Sequence, residues 1–138
     1  MTAIAKEKIY RVLDANFNRA KEALRVCEDI ARFILDNPSI SRKFKLLRHQ
    51  MTQAISILGI EQLIHCRDIK GDVGKKTISS ELKRKDHRDI FYANIQRAKE
   101  SVRVLEEFIK ILDHKAAVKF KTIRYALYAI EKKTAQQL

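Results

Sequence analysis

Five polar residues recur in the same order and at the same spacing twice in the chain: Asn16, Arg19, Glu22, Arg25 and Glu28, then Asn94, Arg97, Glu100, Arg103 and Glu106. An arginine fork grips phosphate oxygens or a carboxylate, and an asparagine amide reads a ring nitrogen or an exocyclic amine. A third polar set sits in "CRDIKGDVGKKT", Cys66 to Thr77. Its glycines, Gly71 and Gly74, permit positive φ, in which successive amides can converge on an anion. Asp68 and Asp72 offer hard oxygens for a hydrated Mg²⁺, and Lys75 and Lys76 offer charge for phosphates. The alternative for this stretch is an ordinary turn in which the aspartates cap backbone amides. Arg48 and Arg124 add cations at matching places in "KLLRH" and "KTIRY", where the partner positions are His49 and Tyr125. No Walker A motif, GxGxxG or zinc-ligand spacing occurs, so the familiar nucleotide-binding folds do not account for these residues.

Helices must carry the two copies. From about Lys6 to Leu35 the apolar residues Ile9, Val12, Leu13, Phe17, Ala20, Leu24, Cys27, Ala31 and Ile34 recur at helical spacing. Asn37 and Pro38 form an N-cap and first-turn pair for a second helix, which Gly59 ends. A short helical piece around Glu61–His65, the loop, a short helix near Ser80–Lys85, and helices from about Arg88 to Leu112 and Lys115 to Gln136 complete the chain. Nine of the fourteen positions in Ala15–Glu28 and Ala93–Glu106 are identical, and "KFKLLRH" is echoed by "KFKTIRY". The expectation is a single all-α domain, an antiparallel bundle of two related helical hairpins (about 9–58 and 88–136) joined by a central Gly/Asp loop at 66–78.

At about 100° per residue, with Asn16 as zero, Ala20, Ala23, Cys27, Ile30 and Ile34 fall within about 40°, and Arg19 lies about 60° away. The wheel therefore puts Asn16 and Arg19, and equally Asn94 and Arg97, on the apolar face. Glu22 and Glu100 fall at its border, Arg25 and Arg103 farther out, and Glu28 toward the far side. Buried polar groups need partners. Two arrangements satisfy them: a network pairing Arg19 or Arg97 with Glu22 or Glu100, or a ligand cleft between the hairpins.

The formal net charge is +12, which attracts anions: nucleic acid, acidic membrane or phosphorylated metabolites. The cations are spread along the chain with no RNA- or DNA-binding signature, which argues against nucleic acid. No apolar run approaches a membrane span, the N-terminus lacks a signal-peptide pattern, and Cys27 and Cys66 stand far apart. These features predict a cytoplasmic protein with no membrane partner, and Cys27 as a small buried hydrophobe.

The segments "LDANFNRAKEALRVCEDIARFIL", "LLRH", "CRDIKGDVG" and "ANIQRAKESVRVLEE" resemble the helical hydroxymethylpyrimidine-phosphate kinase domain of thiamin biosynthesis. In many bacteria that domain precedes a thiamin-phosphate synthase barrel. The likeness runs from about Ile9 to the C-terminus and stops where the barrel would begin, so synthase activity is not expected. The resemblance implies ATP-dependent phosphorylation of 4-amino-5-hydroxymethyl-2-methylpyrimidine phosphate to the diphosphate, with Mg²⁺. The positions that match the family pattern are the two repeated sets, Arg48, and Arg67, Asp68, Gly71, Asp72 and Gly74. On this reading the arginines, Arg19 and Arg97 first, clamp phosphates. Asp68 or Asp72 holds magnesium, Glu22 or Glu100 orients the arginines, and Asn16 or Asn94 reads the aminopyrimidine edge. Two other functions stay open: a non-catalytic pyrimidine- or nucleotide-binding module serving a separate thiamin-phosphate synthase, and a basic RNA-binding helical protein. A site completed by a second protomer also stays open.

Overall fold

The computed structural model describes residues 1–138 and contains helices and no strands. Helix α1 (Ala3–Asp29) starts where the Thr2 hydroxyl accepts from the Ala5 amide at 3.1 Å. The expected single helix to Leu35 instead loosens into a π-helical turn over Ile30–Ile34, closed by Leu35 N–H to Ile30 C=O at 3.0 Å. Asp36 follows at φ 48, the left-handed turn that releases the chain from the helix. Helix α2 (Pro38–Ile55) opens as expected, with Asn37 Oδ1 accepting from the Ile40 amide at 3.0 Å and Pro38 in the first turn. A 3₁₀ turn, Ser56–Leu58, runs into Gly59 at φ 78, and α3 spans Ile60–His65. The short helix expected near Ser80–Lys85 is a 3₁₀ turn at Ser79–Leu82, followed by the charged "KRKD". Helices α4 (His87–Ile109) and α5 (His114–Ala135) are capped by Asp86 and Asp113, which accept from the amides of Asp89 and Ala116.

Cross-helix contacts give the direction of packing. Lys21 meets Thr52 and Glu28 meets Arg48, so residue numbers rise along α1 as they fall along α2. Lys99 with Glu131 and Glu106 with Arg124 give α4 and α5 the same antiparallel sense. The repeat continues into the core: Leu13 and Phe91, Ala20 and Ala98, Cys27 and Leu105, Phe44 and Phe120, and Met51 and Leu127 hold equivalent positions, all with no solvent exposure. Four main helices arranged as two related hairpins are thus what the structure contains, as the periodicity predicts.

One buried ion pair bolts each hairpin together. Arg48 Nε and Nη2 both reach Glu28 Oε2 at 2.7 Å, and Arg124 Nε reaches Glu106 Oε2 at 2.7 Å. Residues 67–86 contribute nothing buried and connect the hairpins over the surface. Limited trypsin digestion is therefore expected to cut first at Lys70, Lys75, Lys76 or Lys83–Lys85, leaving two fragments that separate on a denaturing gel and co-elute on gel filtration.

Candidate active site

Helix α1 and the start of the central loop line an open cleft of about 760 Å³. Asn16, Arg19 and Glu22 line it from one side of α1, one turn apart; Arg67, Asp68, Ile69 and Asp72 line it from the loop, and Lys8, Arg11, Asp14 and Asn18 complete the walls. What holds the loop there is Arg67, whose Nε and Nη2 donate to the two oxygens of Asp14 at 2.7 and 2.9 Å. The Asp14 side chain is 6 % exposed, and Asn18 Nδ2 donates to its Oδ1 at 3.2 Å. The hydrogen bond and charge of Asp14 raise the pKa of the Arg67 guanidinium further above its ordinary value. A buried carboxylate held by a two-pronged arginine is a strong, directional latch.

Within the loop, Asp68 Oδ1 accepts from the Gly71 amide at 2.8 Å and Asp72 Oδ1 from the Gly74 amide at 2.9 Å. These are the turn-capping bonds of the alternative reading, and each leaves its second carboxylate oxygen without a bond to the loop. Gly71 and Gly74 do not use the positive φ open to them; among the glycines only Gly59 has it. At Gly71 a Cβ would meet the Asp68 carboxylate, so a larger residue there would push that side chain off the Gly71 amide.

Two smaller depressions extend the cleft. Asn16 and Arg19 also line a space of about 450 Å³ with Arg97, Glu100 and Ser101. Arg97 and Glu100 in turn line a third, about 300 Å³, with Ser80, Glu81 and Arg84. The equivalent arginines of the two copies thus face one depression, between the hairpins.

Several wheel-based placements are corrected. Arg19 and Arg97 are exposed rather than inward, and neither forms an ion pair with Glu22 or Glu100; Glu100 accepts from Gln96. Asn16 is buried as expected, and its Nδ2 donates to Val12 C=O at 2.9 Å. Asn94 is half-buried, bonds in the same way to Ile90, and lines none of the three depressions. Glu28 and its counterpart Glu106 are buried, not on the far side, and Arg48 is locked in the interior pair with Glu28. Arg25 pairs with Asp29 and Arg103 with Glu107, both outside the cleft. The reason is the centre of the buried stripe. Leu13, Phe17, Ala20, Leu24, Cys27 and Ala31 centre about 60° past Asn16, leaving Arg19 about 120° from the middle of the buried face.

The wheel missed Asp14, Asn18, Lys8 and Arg11. Asp14 carried a usable signal, because it is where the repeat breaks: its counterpart is Tyr92, 48 % exposed.

The cleft's lining carries four cations (Lys8, Arg11, Arg19, Arg67) and four carboxylates (Asp14, Glu22, Asp68, Asp72). In a chain of net charge +12 this balance singles the cleft out. A bare polyanion gains little from such a lining, whereas a phosphate accompanied by a divalent cation meets both signs. No group of three or more His, Cys, Asp or Glu converges anywhere in the chain. Asp68 and Asp72 nevertheless fit the Mg²⁺ pattern of one or two protein carboxylates plus substrate phosphates. No helix is long and apolar enough to cross a membrane.

The model of the ThiD2 family matches residues 11–133. The chain belongs to this family. Among relatives of this ThiD2-family chain, the thiamine-phosphate synthase of Rhodopirellula baltica is 39% identical over 130 residues, covering 94% of this chain and 35% of that protein. The thiamine-phosphate synthase of Synechocystis is 40% identical over 124 residues, 89% of this chain and 35% of its own length. That of Nostoc punctiforme is 35% identical over 127 residues, 91% of this chain and 35% of its own. The chain spans about a third of the length of these relatives. No solved structure matches it.

Proposed function

We propose that this ThiD2-family chain acts in thiamin biosynthesis and phosphorylates 4-amino-5-hydroxymethyl-2-methylpyrimidine phosphate to the diphosphate, with ATP as donor. Its kinship to proteins named thiamine-phosphate synthase supports the pathway. One observation carries the reaction: Asn16, Arg19 and Glu22, spread over two turns of α1, share a single cleft with Arg67, Asp68 and Asp72 of a loop some fifty residues away in sequence.

Transfer of the terminal phosphoryl group breaks the bond between the β,γ-bridging oxygen and the γ-phosphorus of ATP and forms one to an oxygen of the pyrimidine's phosphate; ADP leaves. The attacking oxygen is already ionised, so the site needs positioning and charge neutralisation rather than a strong base. A cleft rich in Arg and Lys with no histidine in its lining suits that demand. Arg19 and Arg11 clamp the acceptor's phosphate and Lys8 the transferring group. Glu22 accepts from the exocyclic amine of the pyrimidine while Asn16, whose Nδ2 gives one hydrogen to Val12, donates the other to a ring nitrogen. Arg67, already bonded to Asp14, fixes the loop so that Asp68 and Asp72 face the phosphates. These two carboxylates would hold Mg²⁺, which when bound neutralises charge on the transferring phosphates.

The test is a coupled assay with the pyrimidine monophosphate, ATP and Mg²⁺, with the diphosphate identified by mass. Stoichiometric ADP and pyrimidine diphosphate are expected; binding of both substrates with no diphosphate formed would sink the reading.

A further inference from the structure

A second cleft lies on the other side of the Arg67–Asp14 latch. It measures about 640 Å³ and runs between the N-terminal turns of α1 and the end of α3. Its private walls include Ile4, Tyr10, Gln62, His65 and Cys66. Four residues belong to both clefts: Lys8, Arg11, Arg67 and Asp68. The division is chemical as well as spatial. The shared ridge carries three cations and a carboxylate, the groups that suit phosphates and their metal ion. Beyond it on one side are the carboxamides and carboxylate that suit an aminopyrimidine. On the other side Ile4 and Tyr10 give aliphatic and aromatic carbon, Gln62 an amide and His65 an imidazole, with Lys6 and Glu7 adding one charge of each sign.

We propose that the cleft between α1 and α3 takes the adenosine half of MgATP, its polyphosphate crossing the Lys8, Arg11, Arg67 and Asp68 ridge into the larger cleft. The assignment rests on the kinase reading of the larger cleft and names where the donor of that reaction binds. Two anionic substrates that exchange a phosphoryl group must bring their phosphates together and keep their organic parts apart. Two clefts meeting at one cationic ridge do both. A purine is apolar on its faces and polar at its edges: Ile4 and Tyr10 offer carbon to the faces, Gln62 and His65 hydrogen bonds to the edges. Lys6, with its Nζ 5.5 Å from the centre of the Tyr10 ring, adds a cation on this side.

The chain carries its own reporter. Cys66 is part of this cleft's wall and partly exposed, whereas Cys27 is fully buried with its thiol pKa pushed up to about 12 by burial. A maleimide added to the native chain therefore reads Cys66 alone. MgATP at ten times its dissociation constant is expected to slow that reaction by about tenfold, since only the unliganded fraction reacts; the pyrimidine phosphate alone should not slow it. Ile4→Glu, an exposed first-turn position, should raise the MgATP concentration for half-protection by about tenfold and leave the KM for the pyrimidine phosphate unchanged. Full turnover by a chain whose Cys66 MgATP never shields would overturn this assignment and leave the kinase reading intact, and so would Ile4→Glu with unchanged half-protection. Shielding by MgATP with no diphosphate formed overturns the kinase reading and leaves the nucleotide cleft standing. Neither shielding nor turnover overturns both.

Discussion

Arg19→Ala is expected to lower turnover by about 10²- to 10³-fold, the usual cost of deleting one preorganised donor to developing charge, and to leave the melting temperature unchanged. The separation follows from where the residue lies. Arg19 is exposed, forms no ion pair, and lines both the main cleft and the depression it shares with Arg97. Removing it deprives no buried group of a partner. Arg19→Lys keeps the charge and loses the fork, so it should recover part of the rate. Steady-state kinetics beside a thermal melt checks this. An Arg19→Ala chain that is fully folded and fully active would remove Arg19 from the phosphate clamp; one that unfolds would make it structural.

The largest stability effect is expected at the bolts. Glu106→Ala strands Arg124, 11 % exposed and otherwise bonded only to the Tyr128 hydroxyl at 3.0 Å, and should cost about 3–5 kcal/mol, the range for breaking one half of a buried pair. Against a typical total of about 5–15 kcal/mol this is a large fraction, and should lower the melting temperature by roughly 10–20 °C. Glu106 and the aromatic ring of Tyr128 hold Arg124 in place, and the Glu106 carboxylate raises its guanidinium pKa. Replacing both partners, Glu106→Met with Arg124→Leu, removes the stranded charge and should restore most of the loss. Glu107→Ala is the control: its carboxylate is exposed and bonded to Lys110, and its loss should barely move the melt. Urea titration of the three variants reads the order directly.

The bundle was legible because each main helix announces itself locally. Asn37–Pro38 and Gly59 punctuate the chain close to where the structure begins and ends its elements, and the doubled line demands two equivalent hairpins. The turn-capping role of Asp68 and Asp72 was legible as one of two readings of the loop, whereas the fastening of Arg67 to Asp14 was not. What a single helical wheel cannot supply is the number of neighbours a helix has. Helix α1 packs against α2, α3 and α4 at once, so its buried stripe is broad and off-centre from Asn16. Glu28 fell outside the narrow stripe and proved buried; Arg19 fell inside it and proved exposed. Asp14 stands outside the repeated set, with Tyr92 as its counterpart, so the repeat does not mark it.

The latch occurs once and the bolts twice, and this asymmetry sets a stoichiometry. Two identical hairpins around a twofold axis would present two equivalent clefts and bind two ligands. Here the copies keep the same internal ion pair, but only the first has an aspartate for a loop arginine to fasten, the place of Asp14 being taken by Tyr92 in the second. The duplicated motif "ANxxRAKE" therefore counts structural halves, not binding sites. On the proposed function one pyrimidine is expected per chain, with Arg97, Glu100 and Ser101 of the second copy walling the depression that Asn16 and Arg19 of the first also line.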